Sequence, residues 1–210
     1  MIEKICNYLT MKMMKKMPEI DDERAEVINY GLQIIIGEIP KLITIFLVAY
    51  ILGIFKLTIL SIIIVTPYKM FSGGVHLKTH IGCAIATSIS YMGPALLSKI
   101  IVLNQIEKYV VILTLWIFSM IMIKFYAPAD TEEVPILRKK DRKFKKIMSY
   151  ITMNLTLIVS LFINNPIISN LIIFSVLIQT MSITRIIYKI TNCKYGYEEY
   201  CKKEIIQSNA

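Results

Sequence analysis

The chain has 210 residues, 55% of them hydrophobic, with a formal net charge of +9 and a mean hydropathy of +0.58. That is too apolar for an ordinary soluble domain, and the apolar residues fall in long blocks, so the chain reads as one all-α, polytopic integral membrane domain over 1–210. The positive charge then points to loops facing anionic lipid, and no basic groove with interleaved aromatics supports nucleic-acid binding.

Met1 to Pro18 reads as an amphipathic surface helix. Ile2, Ile5, Leu9 and Met13 share one face, and Lys4, Lys12, Lys15 and Lys16 cover the rest. It lacks the continuous apolar core of a cleavable signal peptide. Residues 1–29 are therefore expected as a cytoplasmic region lying on the bilayer, and the acidic stretch Asp21 to Glu26 as the start of the next helix.

Six apolar segments follow, expected as about six transmembrane or re-entrant helices. The first runs from about Tyr30 to Phe55 and carries Glu38 and Lys41, whose i, i+3 spacing suits an ion pair. The second, Leu57 to about Tyr68, ends near Pro67 and is short against the roughly 20 residues of a spanning helix. The third, Ile81 to Leu103, is expected to kink at Gly93-Pro94. The others are Tyr109 to Tyr126, Ile147 to Ile163 and Ile167 to Ile187.

Arg138 to Lys146 is crowded with cations, and so is the tail, whereas Asn104 to Lys108 and Asn164 to Pro166 are nearly neutral. The positive-inside rule places both termini, the His76 region, a basic loop over 127–146 and a tail over 188–210 in the cytoplasm. Six crossings satisfy this. The tail is short and featureless, too little to support a reading as a receptor for a soluble partner.

Chemistry concentrates at Ser72-Gly73-Gly74-Val75-His76 and Cys83. A thiol is only a few per cent thiolate at neutral pH, so a nucleophilic cysteine needs a base. The chain has 2 histidines, His76 and His80. Seven residues of straight helix separate two side chains by about 10.5 Å along the axis, too far for a hydrogen bond. Pairing of His76 with Cys83 therefore requires a loop that folds back over a helix starting near Thr79 to Gly82. Cys83 would then lie in the first turn, where the dipole favours a thiolate and free N–H groups could receive an oxyanion. His80, three residues before Cys83, is the competing base, and a small apolar packing role for Cys83 is the competing reading altogether. Asp130 is a candidate orienter of His76.

Other chemistries find no support. There is no His-Glu-x-x-His, no Gly-x-Ser-x-Gly, no Walker-type loop and no Cys-x-x-Cys among the 4 cysteines. The aspartates Asp21, Asp22, Asp130 and Asp141 all lie outside the apolar segments. No metal or other cofactor is expected.

Two motifs carry a family resemblance: Lys69-x4-Gly74-x-His76-x6-Cys83 with Ser72-Gly73-Gly74, and Tyr126-Ala-Pro-Ala-Asp130-Thr-Glu-Glu-Val-Pro135. Together with the order of apolar segments, they resemble the accessory gene regulator B (AgrB) family over essentially the whole chain. That resemblance implies a membrane cysteine endopeptidase of peptide quorum sensing. Its partner would be an AgrD-like propeptide, cut before its C-terminal tail and closed to a thiolactone or lactone, and the enzyme is expected as a homodimer. It implies Cys83 as nucleophile and His76 as general base, with Lys69, Ser72, Gly73, Gly74 and Asp130 as supporting residues. Lys69 stands where the family commonly has arginine and lacks its bidentate fork. Lys139, Lys140, Arg142 and Lys143 are expected to attract the acidic propeptide tail, beside their topogenic role. The competing function is a non-catalytic exporter or scaffold for a small hydrophobic peptide.

Overall fold

The computed structural model describes residues 2–17, 21–77, 79–132 and 134–208. The protein is an all-α membrane protein, and the described residues contain no strand, only two isolated bridges. The chain divides into two compact units, Met1–Ile51 and Leu52–Ala210.

The first unit is a pair of helices, α1 (Ile2–Lys16) and α2 (Asp22–Ile51). Asp21 opens α2 as the acidic stretch predicts, its Oδ1 accepting from the Arg24 N–H at 2.8 Å. Asn29 Nδ2 donates to Asn7 Oδ1 at 2.6 Å, tying the two helices together. Ile5 and Met13, on the face expected to meet lipid, are exposed, whereas Cys6 and Thr10 are buried. Within α2, Lys41 and Glu38 form the expected ion pair.

The second unit contains α3 (Phe55–Ser72), α4 (His80–Ile100), α5 (Gln105–Tyr126), α6 (Lys139–Phe162), α7 (Pro166–Ser182), α8 (Arg185–Ile190) and α9 (Gly196–Ser208). The centre is α7, which packs against α3, α4, α5 and α6. Ser169 through Val176 are buried without a break, the mark of a helix surrounded by others. Small and hydroxyl side chains let the helices approach closely. Tyr68 Oη and Ser119 Oγ both meet Thr180 Oγ1, at 3.1 and 2.9 Å, and Ser61 faces Ser175 at 3.5 Å. The outer faces of the same helices expose Ile63, Ile85, Leu113, Ile151 and Leu155. Apolar outside and hydroxyl-lined inside is the arrangement that a lipid solvent favours.

Among the described residues, four helical stretches are long and apolar enough to cross a bilayer: Arg24–Ile51, Phe55–Ser72, Ile81–Ile100 and Gln105–Tyr126. Pro166–Ser182 is shorter. Lys108 Nζ at the start of α5 caps Ile163 O after α6 (3.1 Å), and Asn170 of α7 reaches Ile101 O after α4 (2.8 Å).

Three boundaries depart from the sequence expectation. The second segment does not stop at Pro67. Its helix runs on to Ser72, 18 residues or about 27 Å, held past the proline by the buried Tyr68 and its bond to Thr180. The basic stretch is not a loop throughout 127–146. From Lys139 on it forms the first turns of α6, because lysine and arginine favour helix and no glycine or proline interrupts them. The tail is not featureless: it folds into α8 and α9. Pro94 lies inside a helix that is continuous from His80 to Ile100.

Candidate active site

Gly73 ends α3 with φ 73° and ψ −148°, and Gly74 follows with φ 146°. These glycine-favouring conformations turn the chain back so that it pairs with the segment after α5. Gly74 N–H donates to Ala129 O (2.9 Å), Ala129 N–H to Ser72 O (2.8 Å) and Val75 N–H to Ser182 O (3.2 Å). A Cβ on Gly73 would stand 2.2 Å from Ala129 O, so no other residue fits this crossing. Gln179 of α7 fastens the turn from below, its Nε2 donating to Ser72 Oγ at 2.9 Å and to Gly73 O at 2.8 Å.

The loop from Gly73 carries His76 over the start of α4. Thr79 caps that helix, its Oγ1 accepting from Gly82 N–H at 3.1 Å. Cys83 lies in the first turn, as the fold-back reading requires. His76 Nδ1 stands 3.7 Å from Cys83 Sγ, against the 10.5 Å or so that a straight helix would impose. The thiol is buried and the imidazole exposed. The side chain of His80 lies outside the described residues. The N–H groups of Gly82 and Cys83 are already used, by Thr79 Oγ1 and Thr79 O. The expectation that first-turn N–H groups receive an oxyanion therefore does not hold for these two.

A cavity of about 840 Å³ opens beside the pair. Ile89, Leu177, Ile178 and Met181 give it an apolar wall, and Lys69 and Lys145 bring cations to it. Lys69 Nζ sits 5.3 Å from the centre of the Tyr91 ring. Lys139, Lys140 and Lys143 are exposed on the first turns of α6.

Arg142 and Asp130 require correction. Asp130 Oδ2 accepts from Arg142 (2.9 Å), Ile136 N–H (2.9 Å) and Tyr197 N–H (3.2 Å), and the Arg142 guanidinium lies 4.3 Å over the Tyr197 ring. A buried carboxylate needs such partners. Asp130 therefore ties the 130–136 loop to α6 and α9, and no bond from it to His76 occurs among the described residues. Arg142 is spent on that pair, unlike its lysine neighbours.

Several residues of this region are not marked as functional by the sequence. Lys145 looks like one cation in a basic run. Gln179 carried a signal, a polar side chain in an apolar segment. Tyr188 gave none: its hydroxyl reaches Ala129 O and Asp130 O, both at 3.1 Å. Burial pushes the phenols of Tyr188 and Tyr195 well above their usual range, so both stay protonated donors.

The sequence profile of accessory gene regulator B (AgrB) matches residues 2–183. The chain belongs to the AgrB family. Among named AgrB relatives, a putative AgrB-like protein of Clostridium acetobutylicum is 28% identical over 204 residues, covering 95% of this chain and 93% of its own. A putative AgrB-like protein of Listeria monocytogenes serotype 4a is 25% identical, covering 86% and 87%. The accessory gene regulator protein B of Staphylococcus aureus strain Newman is 26% identical over 161 residues, covering 75% and 80%. No solved structure matches the chain. Membership assigns this AgrB chain to the quorum-sensing accessory gene regulator family.

Proposed function

We propose that the protein is a membrane cysteine endopeptidase that removes the C-terminal tail of a small AgrD-like propeptide and promotes its cyclisation. The observation that carries the reading is the approach of His76 Nδ1 to Cys83 Sγ, 3.7 Å, made possible by the turn that Gly73 and Gly74 put between α3 and α4. Apo geometry of this length tightens on substrate binding in many enzymes.

His76 takes the thiol proton, and the thiolate attacks the scissile carbonyl. The C–N bond breaks, the proton passes from His76 to the leaving amine, and a thioester joins Cys83 to the propeptide body. A thiol or hydroxyl within that body then gives its proton to His76 and attacks the thioester, closing the ring, and the leaving Cys83 thiolate takes that proton back. Exchange of one thioester for another is nearly balanced, so closure needs no ATP. The uphill step is amide to thioester, drawn forward by loss of the tail or of the ring. The apolar wall of the cavity supports the exclusion of water from the acyl-enzyme. The positive-inside rule sets this chemistry at the cytoplasmic face of the cell membrane, and the family likeness supports a pair of chains per assembly.

Co-expression with a candidate neighbouring propeptide tests the reading, with mass spectrometry following loss of its tail. Cleavage is expected from the wild type and not from Cys83→Ala or His76→Ala. Cleavage that survives loss of Cys83 would return the protein to the exporter or scaffold reading.

The exposed lysines of α6 extend this reading to recognition of the acidic tail. Reversing Lys139, Lys140 and Lys143 together is expected to raise KM several-fold in detergent, with kcat little changed and the difference shrinking as salt rises. An unchanged KM would leave those lysines with lipid contact alone.

A further inference from the structure

We infer that the C-terminal segment, α8 and α9 with the turn between them, is a clasp that fixes the loop carrying His76, with Tyr188 and Gly196 as its positioning residues. The inference rests on the peptidase reading in that His76 is the group positioned. The segment begins beyond residue 183, where the AgrB profile match ends.

Four residues of the segment converge on the loops beside the catalytic pair. Tyr188 Oη reaches Ala129 O, the same oxygen that receives Gly74 N–H, and so lies two bonded steps from the turn that aims His76. Cys193 Sγ donates to the carbonyl of His76 itself at 3.3 Å. Tyr197 N–H holds Asp130 Oδ2, and Gly196 packs so closely on the same loop that a Cβ there would stand 2.1 Å from Thr131 O.

Contacts within and beneath the segment stiffen it. The rings of Tyr188 and Tyr195 stack at 4.1 Å with 2° between their planes, and Tyr126 stacks on Tyr195 at 6.3 Å. Tyr195 Oη donates to Ile183 O at 2.8 Å. The clasp thus joins the end of α7, the end of α5 and the His76 loop.

The test uses the full-length protein in lipid vesicles: wild type, Tyr188→Phe, Gly196→Ala, the double variant and His76→Ala. Tyr188→Phe keeps the ring stack and removes only the hydroxyl. The first readout is the rate at which iodoacetamide alkylates Cys83 at one fixed pH, followed by peptide mass spectrometry because Cys6, Cys193 and Cys201 are likewise outside any disulfide. The second is kcat and KM for the co-expressed propeptide. Each tail variant is expected to slow alkylation of Cys83 at least about fivefold, toward the His76→Ala rate, and to lower kcat by a similar factor with KM within about twofold. The double variant should be no slower than the slower single, since both release one clasp.

Wild-type alkylation in both tail variants overturns the inference, even where thermal stability falls, because it leaves the segment a purely structural role. A raised KM at unchanged kcat overturns it too, by making the segment a substrate contact. So does an alkylation rate that His76→Ala leaves unchanged. If the wild type cuts no propeptide, the peptidase reading fails by itself, and the alkylation series still decides the clasp.

Discussion

Gly73→Ala is expected to lower propeptide cleavage by about 100-fold or more while the protein still inserts in the membrane. Two costs add at this position. The backbone sits at φ 73° and ψ −148°, a region that side chains avoid at about 1–3 kcal/mol. The new methyl would also stand 2.2 Å from Ala129 O and 2.9 Å from its carbonyl carbon. Those are backbone atoms, and Ala129 O is held in place by Gly74 N–H and Tyr188 Oη. The clash must be relieved by opening the pairing of 72–74 with 129, and that pairing aims His76. Gly53 is the control. It also has a positive φ, 64°, but nothing lies within 4 Å of its added Cβ. Gly53→Ala should cost only about 1–2 kcal/mol of strain and leave turnover within about twofold. Gly74→Ala should fall between them, because the atom it meets at 2.8 Å is the side-chain Oγ of Ser182, which can rotate away. Cleavage rates per inserted molecule, measured in vesicles, rank the three. Equal rates for Gly73→Ala and Gly53→Ala would remove the loop pairing from any role in catalysis.

How far the sequence carried this picture depends on what kind of interaction decided each part. The bilayer-facing helices were legible because hydropathy alone sets them. The start of α2 and the Glu38–Lys41 pair were legible because both are local, set by neighbours three residues apart. The fold-back of His76 on Cys83 was legible as a condition: a straight helix holds those two apart, so their pairing needs a break, and the glycines marked where it could come. Except for the basic stretch, whose helix local propensity already favoured, the misreadings involve longer range. Pro67 reads as a stop until Thr180, more than a hundred residues on, gives Tyr68 a partner beyond it. Arg142 looks like its lysine neighbours until Asp130 is folded against it. The tail has weak apolar periodicity of its own, and its tyrosines gain meaning only from the carbonyls of Ala129 and Asp130. Residues that touch at large sequence separation leave no mark on a single sequence, unless, like Gln179, they are out of place in their own segment.

The largest loss is expected from the pair itself, and its pattern is more telling than its size. Cys83→Ala removes the atom that forms the thioester, so tail release should fall to background. His76→Ala leaves the sulfur but removes the base, and general-base contributions run to about 10²–10⁴-fold. If the two act as one unit across the 3.7 Å contact, the losses cannot add. The double variant should be no slower than Cys83→Ala alone. The reverse arrangement, in which His76 binds substrate and another base serves Cys83, would show as a raised KM in His76→Ala with kcat preserved. A thioester intermediate makes one further demand. A small added thiol competes with the propeptide's own nucleophile for the acyl group, so the wild type should yield a linear, thiol-capped body in proportion to the thiol supplied, while tail release continues at its usual rate. A product that stays wholly cyclic at every thiol concentration would mean that the acyl group never rests on Cys83 where a small thiol can enter. The cavity argues against such shielding: its apolar wall disfavours water, yet the opening that admits the propeptide admits a small apolar thiol.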